Sequence, residues 1–264
     1  MDKSDLLEQV KSIARAAGEV IMTFYQRSDL GTTYKSDDSP LTLADQASNR
    51  VICESLKGLS PVFPVISEES QTAAYAERQG FEYAWLVDPL DGTREFIAGN
   101  GDFTVNIALL KGHRPVLGVV YAPALGEIYW AAQDMGAFGE YAGRRRTLRA
   151  AGFDFSAPGL RVLCSRSHLD LHTLAFIERL DAPERISRGS AIKFMLLARG
   201  DADLYPRMGP TMEWDTAAAQ IILEEAGGWI VDAGTKLPLT YNKEALKNPT
   251  FIAAGASATN PRVW

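Results

Sequence analysis

"WLVDPLDGTREF", residues 85–96, is the stretch on which the fold turns. An apolar run meets Asp88, bends at Pro89, and presents a second acid at Asp91 before Gly92, Thr93 and Arg94. The run reads as a buried strand ending at Asp88. A lone Asp after a strand is usually a turn residue. Here Leu86 and Val87 drive toward the core just before Asp88, which keeps that carboxylate out of bulk water. Buried carboxylates at close range repel and stay protonated unless a cation neutralises them.

Working outward, the period of the chain changes around this stretch. From Tyr83 to Ala132, "YAWLVD", "FTVNIALLK", "PVLGVVYA" and "EIYWAA" are short, β-branched or aromatic, and split by Gly, Pro and Asn. They predict mostly antiparallel strands. Upstream, Leu6, Val10, Ile13, Ala14, Ala17, Val20, Ile21 and Phe24 recur at helical spacing, predicting a helix over about residues 5–26. Thr42 is a candidate N-cap for a second helix running through Leu43, Ala47, Ile52, Leu56 and Leu59. "VIS" (65–67) reads as a strand ending at Glu68. Beyond about residue 150, strands ("RVLCS", "RISR", "ADLYP", "WIVD", "FIAAG") alternate with helices near 169–180, in "SAIKFMLLARG" and in "WDTAAAQIILEEAGG". The expectation is two closely packed halves, an α+β part over 1–150 and an α/β part over 151–264, with no linker between them.

The totals limit function. The chain has 264 residues, 46% apolar and 23% charged, with 27 basic and 33 acidic residues and a net charge of −6. A nucleic-acid coat would show a basic excess. Cys53 and Cys164 fit no metal spacing and no disulfide framework, so both are expected to be reduced core thiols. The N-terminal "MDKSDLLEQV" has no signal-peptide core, and no apolar run approaches the ~18–20 residues that span a bilayer. A soluble cytoplasmic protein is expected, with peripheral membrane contact left open.

More acids stand at the ends of expected elements. Glu68 and Glu69 follow "VIS", Asp45 lies near the start of the second helix, and Asp215 opens "DTAAAQIILEEAGG". Carboxylates and carbonyls are hard oxygen ligands that suit Mg²⁺ rather than zinc. The D-x-x-D spacing would let Asp88, Asp91 and the Leu90 carbonyl face one point. Three or four carboxylates from separate segments could seat paired metals, a known device for in-line attack of water on phosphate. Gly92 and Thr93 open "GTREFIAG", where free backbone N–H groups make a phosphate seat and glycine permits close approach. The Thr93 hydroxyl could pass a proton from the attacking water to a carboxylate.

"DPLDGT" (88–93) resembles the first signature of the lithium-sensitive, magnesium-dependent phosphatases typified by inositol monophosphatase, and "WDTAAAQIILEEAGG" (214–228) resembles their second. "SEES" (67–70) is similar to the acidic element before the first. The resemblance covers nearly the whole chain. It implies a layered αβαβα sandwich, with a largely antiparallel N-terminal sheet and a smaller α/β C-terminal half. It also implies two or three Mg²⁺ ions held by Glu68, Asp88, the Leu90 carbonyl, Asp91 and Asp215. Thr93, with Asp45 behind it, would orient the nucleophilic water, and Glu69 would be a supporting acid. "DGTREF", "SRSH" (165–168), "GSAIKF" (189–194) and "LYPRMGPTMEWD" (204–215) resemble the bacterial CysQ type of 3'(2'),5'-bisphosphate nucleotidase. That resemblance implies removal of the 3'-phosphate from adenosine 3',5'-bisphosphate, or from its 5'-phosphosulfate form. His168, Ser190, Lys193 and Arg207 would contact the nucleotide. The substrate would also meet Glu68, Leu90, Asp91, Gly92, Thr93 and Asp215. The expected partner is this small molecule, for a monomer or homodimer. Arg94 stands where lysine is commoner, and Ala191 replaces a second serine.

The rivals are an inositol- or fructose-bisphosphate phosphatase, disfavoured by "TREF" and "SRSH", and a non-catalytic Mg²⁺ or Li⁺ sensor, which would need neither Thr93 nor Glu69. A kinase-like nucleotide binder would need a phosphate-cradling glycine loop that is missing. Ser167–His168 lacks a nucleophile elbow. His168 and His172 form at most a helical pair without a third zinc ligand. "RRR" (144–146) reads as a solvated basic turn.

Overall fold

The computed structural model describes residues 2–25, 27, 29–35 and 40–257. The chain runs through α1 (Lys3–Phe24), the short strands β1 (Thr33–Tyr34) and β2 (Pro40–Leu41), α2 (Leu43–Lys57), β3 (Val65–Ser67) and the one-turn α3 (Tyr75–Arg78). Next come β4 (Tyr83–Asp91), α4 (Thr93–Ile97) and a meander of β5 (Thr104–Lys111), β6 (Arg114–Ala122), β7 (Glu127–Ala132), β8 (Ala137–Tyr141) and β9 (Arg144–Thr147). The rest is β10 (Gly152–Phe153), β11 (Arg161–Ser165), α5 (Leu171–Ile177), β12 (Glu184–Arg188), α6 (Ile192–Arg199), β13 (Leu204–Arg207), a 3₁₀ turn at Glu213–Asp215, α7 (Ala217–Glu225), β14 (Trp229–Asp232), β15 (Phe251–Ala254) and β16 (Ala256–Ser257).

Two sheets organise these elements. β3 to β9 form a seven-stranded sheet in sequence order, antiparallel apart from the β3–β4 pair. β12-β11-β13-β15-β14 form a five-stranded mixed sheet. Period-2 alternation decides what each face buries. In β4, Trp85 and Val87 point into a core with α1 and α2, while Ala84 and Leu86 point into one with α6 and α7. In β15, Phe251 and Ala253 join that same central core, while Ile252 and Ala254 face Ile177 of α5 on the far side. The layers are therefore α1/α2, large sheet, α6/α7, small sheet and α5. Gly118 on β6 lets α7 press close, since a Cβ there would stand 2.4 Å from the Ala218 carbonyl oxygen.

Some boundaries differ from expectation. β4 does not end at Asp88 but continues to Asp91 through a bulge. Asp88 pairs with Asn106 and Asp91 with Thr104, so three steps on one strand face two on the other. Pro89 is tolerated because the bulge needs no ladder donor there. Asp215 does not open α7; it closes the 3₁₀ turn, and α7 begins at Ala217. "RRR" is not a turn but the exposed edge strand β9, with the hairpin turn at Ala142–Gly143 before it. His168 and His172 share no helix, because α5 starts at Leu171. Cys164 is buried, but Cys53 is only partly so. The expected end of the first helix, residue 26, lies outside the described residues, as do residues 258–264. No described helix is long and apolar enough to cross a membrane.

Candidate active site

The acids of separate motifs converge on one spot at the ends of β3 and β4 and before α7. One oxygen each from Glu68, Asp88 and Asp215 lies within 4.8 Å of the others. Glu68 follows β3, Asp88 rides the β4 bulge, and the 3₁₀ turn delivers Asp215 before α7. Asp88 accepts a hydrogen bond from the Leu90 N–H (3.0 Å) and Asp215 from the Met212 N–H (2.9 Å). Burial first, then repulsion from Glu68 and Asp91, pushes the Asp88 pKa well above the carboxylate range. Asp215 is raised in the same direction by burial, Asp91 and Glu68. A divalent cation relieves both effects at once, so this oxygen set fits a hard metal such as Mg²⁺.

Asp91 stands beside this triangle rather than in it. Its Oδ2 accepts from the Ala191 N–H (2.7 Å), Asn106 Nδ2 (3.2 Å) and Thr104 Oγ1 (3.4 Å). Burial raises its pKa to about 6 against the opposing charge of Lys193. Glu69 turns to Lys35, whose Nζ donates to Glu69 Oε1 (2.6 Å) and Glu68 Oε1 (2.7 Å). Burial nonetheless lifts the Glu69 pKa to about 7. Lys35 went unnoticed in the sequence because it lies 33 residues from Glu68, in a stretch without periodic pattern.

The Thr93–Asp45 pair is assembled from two elements. Gly92 has φ +93° and is packed so that a Cβ would lie 2.9 Å from the Asp102 carbonyl oxygen, which only glycine allows. It starts α4 at Thr93, whose Oγ1 lies 3.2 Å from Asp45 Oδ1 and 3.3 Å from the Leu90 carbonyl oxygen. Thr42 caps α2 and donates its N–H (2.7 Å) and hydroxyl (2.6 Å) to Asp45 Oδ2. Thr42 and Asp45 stand three apart, the spacing of a capping box, which adds the Asp45 carboxylate to the Thr42 cap expected from the sequence. Burial raises the Asp45 pKa despite these bonds.

A cleft of about 700 Å³ extends from the acids and is lined by Gly92, Thr93, His168, Ser190, Lys193 and Arg207, among others. Lys193 is buried and donates to the Ser190 (2.7 Å) and Arg188 (3.4 Å) carbonyls. Burial lowers its pKa to about 8. Arg207 donates to the His168 (2.8 Å) and Pro210 (3.1 Å) carbonyls. Arg207 Nε and Trp214 Nε1 are buried without a protein partner, and both residues line the cleft. Burial, then Arg207 and Arg94, pushes the His168 pKa down. Sequence reasoning missed Trp214 and also Lys247, which lines the same cleft.

Residues 2–263 match the Inositol monophosphatase family. The chain belongs to the inositol monophosphatase family. It is 46% identical over 247 residues to the 3'(2'),5'-bisphosphate nucleotidase CysQ of Salmonella typhimurium, covering 93% of this chain and 98% of that one. The crystal structure of CysQ from Bacteroides thetaiotaomicron, itself described as a bacterial member of the inositol monophosphatase family, superposes with a TM-score of 0.84 at 38% identity. That match covers 96% of this chain and 98% of the other. A Thermotoga maritima IMPase gives a TM-score of 0.77 at 26% identity, over 96% of this chain and 92% of its own. The layered fold of the inositol monophosphatase family is thus the frame that brings Glu68, Asp88 and Asp215 together.

Proposed function

We propose that this chain is a magnesium-dependent 3'(2'),5'-bisphosphate nucleotidase that removes the 3'-phosphate of adenosine 3',5'-bisphosphate to give AMP and phosphate. One observation carries the reading: an acidic triangle and a cationic side, Lys193 and Arg207, share a single cleft. A nucleotide with two phosphates needs both, one end beside the acids through metal and the other on fixed cations. CysQ relatives alike over nearly their whole length support the substrate class.

Glu68, Asp88 and Asp215 would hold the metal, with Asp91 and the Leu90 carbonyl beside them. When bound, Mg²⁺ polarises the phosphoryl oxygens and makes a nearby water more acidic. The protein's own residues do the rest. Thr93 Oγ1 accepts a proton from the attacking water as its own hydroxyl proton moves to Asp45 Oδ1, 3.2 Å away. The raised pKa of Asp45 makes it a better base than an ordinary carboxylate. The water oxygen bonds phosphorus as the bond from phosphorus to the 3'-oxygen breaks, and the leaving oxygen takes a proton from solvent. Lys35 bridges the Glu68 and Glu69 carboxylates and fixes both. Arg207 and Lys193 hold the 5'-phosphate, with the free Nε of Arg207 as a ready donor. Both cations are already anchored to backbone, so little ordering is lost on binding.

The test is phosphate release from adenosine 3',5'-bisphosphate, its 5'-phosphosulfate form, inositol monophosphate and fructose 1,6-bisphosphate, each with Mg²⁺, with and without Li⁺. The adenosine bisphosphate is expected to give the highest kcat/KM, inhibited by Li⁺. An equal or higher kcat/KM for inositol monophosphate would overturn the substrate assignment.

A further inference from the structure

Helix α2 turns a polar stripe toward the acids. Asp45, Ser48 and Asn49 lie at i, i+3 and i+4, on one helix face. Each reaches a different part of the site. Asp45 meets Thr93. Ser48, fully buried, donates to the Pro89 carbonyl (2.7 Å) inside the bulge that carries Asp88 and Asp91. Asn49 Nδ2 donates to the Glu69 carbonyl (3.2 Å) and Ser70 Oγ (3.1 Å). Its Oδ1 accepts from Ser67 Oγ (2.7 Å) and Cys53 Sγ (3.2 Å).

Asn49 therefore bonds the residues on both sides of Glu68–Glu69, and its amide can sit only one way round. The Glu69 carbonyl fixes it: a flip would set the amide oxygen against that carbonyl, which can only accept, whereas the Ser67 and Ser70 hydroxyls could turn to suit either way round. Like charges within 4.8 Å of one another tend to push their loops apart. The interior of α2 gives both segments hydrogen-bonded anchors that do not depend on a cation.

We propose that Asn49 and Ser48 are positioning residues of the metal site, fixing the Glu68 and Asp88 segments against α2 so that their carboxylates meet at the distance a divalent ion needs. This rests on reading Glu68, Asp88 and Asp215 as metal ligands. Neither residue lines the cleft or belongs to the acidic triangle. Partners that orient ligands from behind typically carry 10–100-fold in metal affinity.

The test uses the full chain. Mg²⁺ binding is measured by calorimetry without substrate, alongside thermal melts with EDTA and steady-state kinetics over a Mg²⁺ series. Asn49→Leu is expected to weaken Mg²⁺ binding about tenfold, and Ser48→Ala by a smaller factor. The activity lost at low Mg²⁺ should be recovered in part as Mg²⁺ rises, because mass action and the bound ion itself then draw the ligands together. If Asn49→Leu does not fold, the double variant Ser67→Ala, Ser70→Ala, which removes two of the four Asn49 side-chain bonds from the other side, carries the test with a smaller expected loss of Mg²⁺ affinity. A folded variant with the parent's Mg²⁺ affinity overturns the proposal. A parent that binds no Mg²⁺ overturns the metal-site reading itself.

Discussion

On the acidic side of the cleft, Asp88 and Asp215 each keep one backbone donor among the described residues. On the cationic side, Lys193 and Arg207 each grip two backbone carbonyls. Both sides bury charge, yet they solve the cost differently. The cations are held by carbonyl oxygens, and Arg207 keeps an unpaired Nε for an anion. The acids are left short of donors and crowded by one another, so their charge is tolerable only with a cation or a proton. The difference teaches which side waits for metal: burying a charge without partners costs far more than burying one with hydrogen bonds.

The largest effect expected from breaking this contrast is at Asp88. Asp88→Asn removes a metal ligand and a repelling charge together. Phosphate release should fall on the order of a thousandfold, because electrostatic stabilisation by the metal is worth several kcal/mol. The metal-free variant should melt no lower than the parent, since the lost charge was opposed by burial. Activity near the parent's, or a large drop in melting temperature with EDTA, would contradict the role given to Asp88.

A smaller effect tests the cationic side. Arg207→Met should raise KM for adenosine 3',5'-bisphosphate by about 10–100-fold, with a smaller change for adenosine 3'-monophosphate, which lacks the group that Arg207 would hold. Arg207→Lys should recover only part of the loss, because an ammonium cannot reproduce the guanidinium fork. Equal KM changes for the two nucleotides would assign Arg207 to loop structure at His168 and Pro210 alone.

The two sides were unequally legible in the sequence. The acids stood in motifs where an apolar run meets an acid, so hydrophobic patterning alone put Asp88 near the core. Lys193 and Arg207 carried no such local signal; a lysine inside an apolar helix and an arginine ending a strand look like ordinary snorkelling cations, and only the family resemblance singled them out. Pro89 misled because proline usually ends a strand, whereas here a bulge absorbs it and β4 continues. β9 was hidden because an edge strand is defined by its partner β8, which short-range pattern does not reveal. Asn49 and Lys35 could not be read at all. Their roles come from hydrogen bonds across 18 to 34 residues, and nothing in their neighbours marks them.

The smallest expected effect is in stability against pH, and its sign separates the two sides. Burial, as the leading cause, raises Asp91 to about 6 and Glu69 to about 7, and it lifts Asp88 and Asp215 as well. A carboxyl that holds its proton more tightly when folded adds stability below its unfolded value of about 4, and that stability is lost as pH rises through the folded value. Without metal, these acids should therefore lower the melting temperature between about pH 4 and 7. His168, pushed down from its usual value, opposes this in the same window but is one group against several. Lys193, lowered to about 8, gives a rising contribution only above that pH and leaves the window untouched. Mg²⁺ displaces the protons and binds more tightly as pH rises, so it should flatten or reverse the trend. At a hundred times its dissociation constant it adds about 2.7 kcal/mol, which in a chain of this size is several degrees. Melting curves with EDTA and with Mg²⁺ at pH 4, 5, 6 and 7 should diverge steadily. Parallel curves would mean that the acids are neutralised by the protein itself, and the contrast between the two sides of the cleft would lose its physical basis.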